Sequence, residues 1–117
     1  MNRIILIVLG VAIAGIGFVV LKSEKQPALA LDAFAQCLAQ KEVTMYGADW
    51  CPHCQNEKKL FGDSFRFVPY VECPDGPQKC LKEGIEGYPT WVFPDGRRFA
   101  GEQGLEKLSQ ESGCPLR

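Results

Sequence analysis

The sequence predicts a small α/β domain that follows one membrane-spanning helix. Three observations lead to this fold class: an uncharged apolar run over Ile4–Leu21, a strand–helix–strand pattern over residues 43–72, and six cysteines in 117 residues. The predicted organisation is an anchor over residues 1–22, a polar linker over residues 23–28 and one domain over residues 29–117. A domain of about 90 residues is long enough to bury one small hydrophobic core.

The run Ile4–Leu21 is predicted to hold the chain in a membrane. Eighteen helical residues span roughly 27 Å, which approaches a hydrocarbon thickness of about 30 Å. A cleaved signal peptide is the alternative, with Ala28–Ala30 as its small-residue site, but the apolar region of such a peptide is usually about 7–15 residues long. The charged residues Lys22 and Lys25 also separate the run from that site. We therefore expect an uncleaved single-pass anchor.

Composition and cysteine count indicate where the domain works. Six cysteines in so short a chain are typical of an oxidising compartment, so we expect the domain on the extracytoplasmic, periplasmic side of the membrane. The formal net charge is −1 and no run of basic residues occurs, which excludes nucleic acid as an expected partner.

The motif Trp50-Cys51-Pro52-His53-Cys54 lies where a predicted strand, Val43–Tyr46, passes into a predicted helix that ends near Phe61. Cys51 therefore lies at the helix N-terminus, where free N–H groups and the helix dipole stabilise a thiolate. Pro52 suits the first helical position, and His53 adds a positive charge when protonated. A thiolate is the nucleophile in disulfide exchange, so Cys51 is the predicted attacking group.

Two other uses of this cysteine pair are less favoured. A zinc site would need a second pair, and the six residues between Cys73 and Cys80 fit the usual zinc spacings poorly, so no metal or cofactor is expected. An inert Cys51–Cys54 bridge would close a very small loop and would stabilise the fold little. Redox chemistry is the favoured interpretation.

The remaining elements complete an α/β pattern. An amphipathic helix of about a dozen residues begins near Leu29, and on the second helix Cys54, Lys58 and Phe61 are spaced for one face. The other predicted elements are a strand over Arg66–Glu72 with Pro69 marking a sheet edge, a short helix over Gln78–Gly84, a hairpin with strands Trp91–Phe93 and Arg97–Ala100, and a last helix over Leu105–Glu111.

These motifs resemble a thioredoxin fold, which implies a mixed sheet of about four strands with flanking helices. They resemble more closely the thioredoxin-like domain fused to bacterial vitamin K epoxide reductase homologues. The resemblance covers roughly residues 29–117. The segments that carry it are Phe34–Leu38, Met45–Ala48, Trp50–Gln55, Lys59–Gly62, Val68–Cys73 and Gly87–Trp91. The four-helix quinone-reducing domain of those proteins is absent from this sequence, so the resemblance implies a separate vitamin K epoxide reductase-like membrane protein as oxidant.

The resemblance assigns roles to the site residues. It makes Cys51 the attacking thiol, Cys54 the resolving thiol and Pro89 a cis-proline that faces them. A substrate strand is expected to pair with the backbone beside Pro89, with Tyr88 and Trp50 as substrate contacts. One departure is that Met45 occupies the position of thioredoxin's buried acid, which argues mildly against a thioredoxin-like reductase.

The four other cysteines are expected to form structural disulfides. Sequence alone permits three pairings of Cys37, Cys73, Cys80 and Cys114. The short, turn-rich segment between Cys73 and Cys80 favours a local bridge, which leaves Cys37 for Cys114.

The favoured function is therefore a membrane-tethered thiol–disulfide oxidoreductase that acts on proteins carrying thiols or disulfides. A stabilised Cys51 thiolate favours the reduced dithiol and makes the disulfide oxidising. The alternatives are a tethered reductase or isomerase and a non-catalytic binding module of the same fold.

Overall fold

A computed structural model describes residues 28–116 of the chain. The helices are α1 (Ala28–Gln40), α2 (Pro52–Phe61), α3 (Pro77–Lys82) and α4 (Leu105–Ser112), and a 3-10 helix covers Gly62–Phe67. The strands are β1 (Thr44–Gly47), β2 (Tyr70–Glu72), β3 (Thr90–Val92) and β4 (Arg98–Ala100). The predicted anchor over residues 1–22 and nearly all of the predicted linker lie outside the described residues. Within residues 28–116, no helix has the length and apolar character needed to cross a membrane.

The sheet has four strands in the order β2-β1-β3-β4. β1 pairs in parallel with β2, with Met45 opposite Tyr70, so the predicted strand–helix–strand unit is confirmed. β3 pairs antiparallel with both β1 and β4, which confirms the predicted mixed sheet and the hairpin. The order also places β2 at an edge, as expected from Pro69.

The prediction of a strand over Arg66–Glu72 is wrong in its first part. Arg66 and Phe67 belong to the 3-10 helix, and the strand begins only at Tyr70. Gly62, at φ 58°, ends α2, and the Arg66 guanidinium then donates to the Asp63 carbonyl at 2.6 Å. These contacts tighten the chain into a turn where the aromatic spacing alone indicated a strand.

Aromatic packing holds α2 against the sheet and α1. The Phe61 ring stacks on Phe34 of α1 at a centroid distance of 5.8 Å and lies 6.2 Å from the Trp91 ring of β3. Phe34, Phe61 and Trp91 are all fully buried or nearly so. The position of α2, and so of its two cysteines, is therefore fixed by the core.

Two disulfides fasten the outer elements. Cys37 of α1 is bonded to Cys114, which follows α4, and Cys73 at the end of β2 is bonded to Cys80 of α3. This is the pairing that the short segment between Cys73 and Cys80 favours. In a domain with so small a core, each bridge is expected to contribute roughly 2–5 kcal/mol, and the bridge that closes the longer loop is expected to contribute more.

Candidate active site

Cys51 occupies the position directly before α2. It is the N-cap residue, with φ −77° and ψ 121°, and Pro52 stands at the start of the helix. Its N–H donates to the Ala48 carbonyl at 3.1 Å, which fixes the turn from β1 into α2. Cys51 is only 6% exposed, and its Sγ lies 3.7 Å from the Tyr88 carbonyl oxygen. The thiol is thus placed at the positive end of the helix, as predicted from the sequence.

Cys54 lies one turn inside α2 and has no exposed surface. Burial raises the pKa of the Cys54 thiol to about 11, and the neighbouring Cys51 sulfur adds to the rise. The Ala48 backbone and the Lys58 ammonium oppose it. Because a neutral thiol is a poor nucleophile, Cys54 is suited to act only after Cys51 has reacted.

The two thiols are free, and Cys51 faces the segment around Pro89 through the Tyr88 carbonyl. The Tyr88–Pro89 peptide bond is cis and Pro89 is buried, in agreement with the resemblance. The Cys51 thiol can donate a weak hydrogen bond to the Tyr88 carbonyl, directly before Pro89. Cys51 therefore lies beside the segment that carries Pro89 and next to Cys54, and the roles of the three residues in catalysis remain predictions.

The predicted substrate contacts Trp50 and Tyr88 form an aromatic surface beside Cys51. Their rings meet edge to face at a centroid distance of 6.0 Å. Trp50 is 65% exposed, which is unusual for so large an apolar side chain. This surface lies next to Cys51, the less deeply buried of the two free cysteines.

His53 points to a partner that the sequence did not indicate. Its Nδ1 lies 2.8 Å from Oε2 of Glu102, in the loop before α4. The His53 side chain is 67% exposed and that of Glu102 is 38% exposed. Any charge that His53 offers to the helix N-terminus is therefore shared with a carboxylate 49 residues away in sequence.

Sequence reasoning missed Glu57, which is fully buried on α2. Its Oε2 accepts hydrogen bonds from Trp91 Nε1 at 2.8 Å and from the Gln103 N–H at 2.7 Å, and its Oε1 accepts one from the Gly104 N–H at 2.9 Å. The predicted face of α2 named Lys58, which is only half-buried, in place of Glu57. A signal was available in Trp91, because a buried indole N–H needs an acceptor.

Glu57 does not replace the acid that the Met45 position lacks. Met45 is fully buried, so no carboxylate stands at that point of β1. Glu57 is a carboxylate on the same helix as Cys54, but both of its oxygens are occupied by three N–H donors. We interpret Glu57 as a structural tie between α2, β3 and the loop before α4.

Residues 28–116 contain no group of three or more histidine, cysteine or acidic side chains arranged to hold a metal ion.

No protein-family model matches the chain. Thiol-disulfide oxidoreductase LTO1 of Arabidopsis thaliana is 39% identical over 93 residues, covering 72% of this chain and 24% of that protein. Protein disulfide isomerase-like 2-2 of Oryza sativa subsp. japonica is 34% identical over 77 residues, covering 54% of this chain and 20% of that protein. Thioredoxin of Methanocaldococcus jannaschii is 25% identical over 77 residues, covering 61% of this chain and 91% of that protein.

The chain thus spans about a quarter or less of the length of the first two relatives. The first two of these proteins are named for thiol–disulfide or disulfide chemistry, and the third is named thioredoxin. Together they support a thioredoxin-like fold of the thiol–disulfide oxidoreductase kind, and the enzyme class predicted from the sequence, an oxidoreductase, is confirmed.

Proposed function

We propose that this chain is a membrane-tethered oxidoreductase that exchanges its Cys51–Cys54 disulfide with protein substrates outside the cytoplasm. The observation that carries the proposal is the contrast between the two thiols. Cys51 caps the N-terminus of α2 beside the Tyr88 carbonyl, and Cys54 is buried one turn behind it. That arrangement gives one sulfur for attack and one for resolution.

The exchange follows from this geometry. A substrate thiolate attacks Cys51 Sγ of the oxidised protein, the Cys51–Cys54 bond breaks, and its electron pair leaves on Cys54. A second substrate thiolate then attacks the substrate sulfur of the mixed disulfide, and Cys51 leaves as a thiolate stabilised by the helix N-terminus. The substrate is oxidised to a disulfide and the protein is reduced to a dithiol.

Protein substrates are favoured by the surface beside Cys51. Trp50 is largely exposed and rests edge to face on Tyr88, so an apolar surface is available for an unfolded segment. An exposed aromatic pair of this kind supports contact with a polypeptide rather than with a small thiol alone.

The tether and the oxidant are supported by sequence. Ile4–Leu21 has the length and composition of a spanning helix. The resemblance to domains fused to vitamin K epoxide reductase homologues supports a separate, quinone-linked membrane protein as the source of oxidising equivalents. An anchored domain meets such a partner at a high effective concentration.

Trapping in cells tests the exchange reaction directly. A Cys54→Ala variant lacks the resolving thiol, so its mixed disulfides with substrate proteins should persist and be isolated under non-reducing conditions. The control is the Cys51→Ala/Cys54→Ala variant, which should trap none. Equal recovery of disulfide-linked proteins from both variants would contradict the proposal, because the linkage would then not depend on Cys51.

The tether is tested separately. Replacing residues 1–22 with a cleavable signal should leave exchange with a soluble substrate unchanged and should slow reoxidation in membranes. Equal reoxidation of the tethered and released forms would remove the role of the anchor and leave a secreted oxidoreductase.

A reductase or isomerase is the second candidate, favoured by the similarity to a protein named disulfide isomerase-like. The reduction potential of the Cys51–Cys54 couple separates the candidates. A value near about −120 mV is typical of an oxidant, and one near about −270 mV is typical of a reductant. We expect a reduction potential nearer to that of an oxidant, because Cys51 lies at the helix N-terminus.

A further inference from the structure

Lys58 is held on the face of α2 that carries the resolving cysteine. It follows Cys54 by four residues, and side chains at this spacing lie on the same face of a helix. The Lys58 Nζ lies 4.0 Å from the centroid of the Tyr70 ring and 5.6 Å from that of Phe65. Lys58 is half-buried, so its ammonium group is held against an aromatic surface and is not free in solvent.

The Tyr70 ring in turn lies beside Cys54. A β-carbon built at Gly47 of β1 would lie 2.8 Å from Cys54 Sγ, 3.2 Å from Tyr70 Cε2 and 3.4 Å from the Tyr70 hydroxyl oxygen. Cys54 Sγ and the edge of the Tyr70 ring therefore both lie next to the α-carbon of Gly47, and only glycine at this position leaves room for them. Lys58, Tyr70 and Cys54 form one cluster behind Cys51.

Tyr70 is itself fixed from the other side. Its hydroxyl donates to Oε1 of Glu72 at 2.5 Å, and Oε2 of Glu72 accepts from the Asp49 N–H at 2.8 Å. Burial raises the pKa of Tyr70, and the hydrogen bond to Glu72 adds to the rise, so the phenol remains a protonated donor. The ring that holds Lys58 is thus clamped between β2 and the turn before α2.

The charges around Cys54 come from both packed elements. Cys51 and Lys58 act directly on Cys54. Glu72 of β2 and Asp49 of the turn before α2 act on the neighbouring Tyr70 phenol. Glu72 and Asp49 are acidic and do not favour a thiolate nearby, whereas Lys58 does. The Lys58 ammonium lowers the pKa of Cys54 against the larger effect of burial.

We propose that Lys58 stabilises the Cys54 thiolate at the moment when it leaves Cys51, and that Tyr70 and Glu72 position Lys58 for this purpose. The inference rests on the proposed function, in which Cys54 is the leaving group. A substrate thiolate forms a new S–S bond with Cys51 Sγ, the Cys51–Cys54 bond breaks, and the electron pair remains on Cys54 Sγ until solvent protonates it. A leaving thiolate that is better stabilised departs faster.

The test measures that first step alone. The oxidised protein is mixed with reduced glutathione, and the mixed disulfide on Cys51 is followed by acid quenching and mass spectrometry. Lys58→Met keeps the length and apolar character of the side chain and removes its charge, and we expect a roughly fivefold slower step. Lys58→Arg should restore most of the rate. Lys59→Met is the matched control, because Lys59 is the next residue of α2 and is exposed.

A second readout separates charge from structure. In a Cys51→Ala background, thiolate absorbance near 240 nm reports the titration of Cys54. Lys58→Met should move the titration midpoint to higher pH, whereas Lys59→Met should leave it unchanged. Tyr70→Leu should act in the same direction as Lys58→Met, since it removes the ring that holds the ammonium group.

The outcomes are distinguishable. Equal rates and equal titrations for the Lys58→Met and Lys59→Met variants would overturn the inference, and so would a loss of thermal stability in Lys58→Met with no change in rate. If the wild-type disulfide does not react with glutathione at all, the proposed function fails as well. If the wild type reacts and only the Lys58 effect is missing, the proposed function stands and this inference alone is wrong.

Discussion

At the N-terminal end of α2, Trp50 is 65% exposed, whereas Glu57, on the same helix, has no exposed surface. We name two regions on this basis. The thiol rim comprises Trp50, Cys51, His53 and Tyr88, and the framework comprises Glu57, Trp91 and the Cys37–Cys114 bridge. In the rim, the exposed His53 side chain contacts a single partner, Glu102. In the framework, the Glu57 carboxylate accepts three hydrogen bonds.

The difference follows from what each region has to do. A sulfur that exchanges with another protein must be reached, so the rim is left open. A carboxylate inside the core must be fully satisfied, because burying it without partners costs several kcal/mol. We therefore expect substitutions in the rim to change reactivity with little effect on stability, and substitutions in the framework to do the reverse.

The largest expected effect is the loss of exchange in Cys51→Ala. Cys51 is the thiol at the helix N-terminus, and Cys54 is buried and held neutral near pH 7, so no second nucleophile replaces it. Mass spectrometry after incubation with glutathione disulfide should find a mixed disulfide in Cys54→Ala and none in Cys51→Ala. The midpoint of urea unfolding should be nearly the same in the two variants.

Selective alkylation checks the same assignment in the reduced wild type. Iodoacetamide near pH 6 should modify Cys51 and leave Cys54 unmodified. Preferential labelling of Cys54 would reverse the roles of the two thiols.

Removing the framework disulfide should give the next largest effect. Cys37 and Cys114 are 77 residues apart, but Cys73 and Cys80 are 7 residues apart. Loop-closure entropy then predicts a loss of about 4.5 kcal/mol for Cys37→Ala/Cys114→Ala and about 2.4 kcal/mol for Cys73→Ala/Cys80→Ala. Urea unfolding of the two variants measures both values. Equal losses would show that loop length does not govern these bridges.

Glu57 should produce a smaller loss. In Glu57→Gln, the amide group replaces one carboxylate oxygen, so at least one of the N–H donors of Trp91, Gln103 and Gly104 loses its acceptor. A buried donor without an acceptor costs about 1–3 kcal/mol. Glu86→Gln, at an exposed position, is the control.

The free energy of unfolding and the alkylation rate of Cys51 are measured together for these variants. A change in alkylation of Cys51 without a change in stability would contradict the division between rim and framework.

The sequence allowed the rim to be predicted more fully than the framework. Trp50, Cys51 and His53 of the rim lie within four consecutive residues, so a strand followed by a helix is enough to place them. Pro89 was placed by a motif with a recognisable spacing, and the short segment between Cys73 and Cys80 indicated the disulfide pairing.

Contacts between distant segments could not be predicted in this way. Glu57 meets the loop before α4 at a separation of 46 residues, and His53 meets Glu102 at 49. Such contacts depend on the path of the loop before α4 over α2. The hydrophobic periodicity of the two segments does not indicate this path. The 3-10 helix was missed for a related reason, since strand preference depends on packing and Phe65 of this segment lies edge to face against Phe61 of α2 at a centroid distance of 5.7 Å.

The smallest expected effect concerns pH and connects the two regions through Cys54. Burial raises the pKa of this thiol from the usual 9.0 to about 11. Since the folded state holds the proton more tightly, its contribution to stability is complete below about pH 9 and is lost as the pH rises towards 11. The expected loss between pH 8 and pH 10.5 is about 2 kcal/mol.

The comparison is made in a Cys51→Ala background, with Cys51→Ala/Cys54→Ala as the matched control. Tyrosines and lysines titrate in both proteins, so the difference between them isolates Cys54. Urea unfolding under reducing, anaerobic conditions gives the difference in unfolding free energy between the two proteins at pH 8 and again at pH 10.5. If the stability difference does not change with pH, then the buried side of α2 does not hold Cys54 as a neutral thiol, and the contrast between an attacking and a resolving sulfur has to rest on access alone.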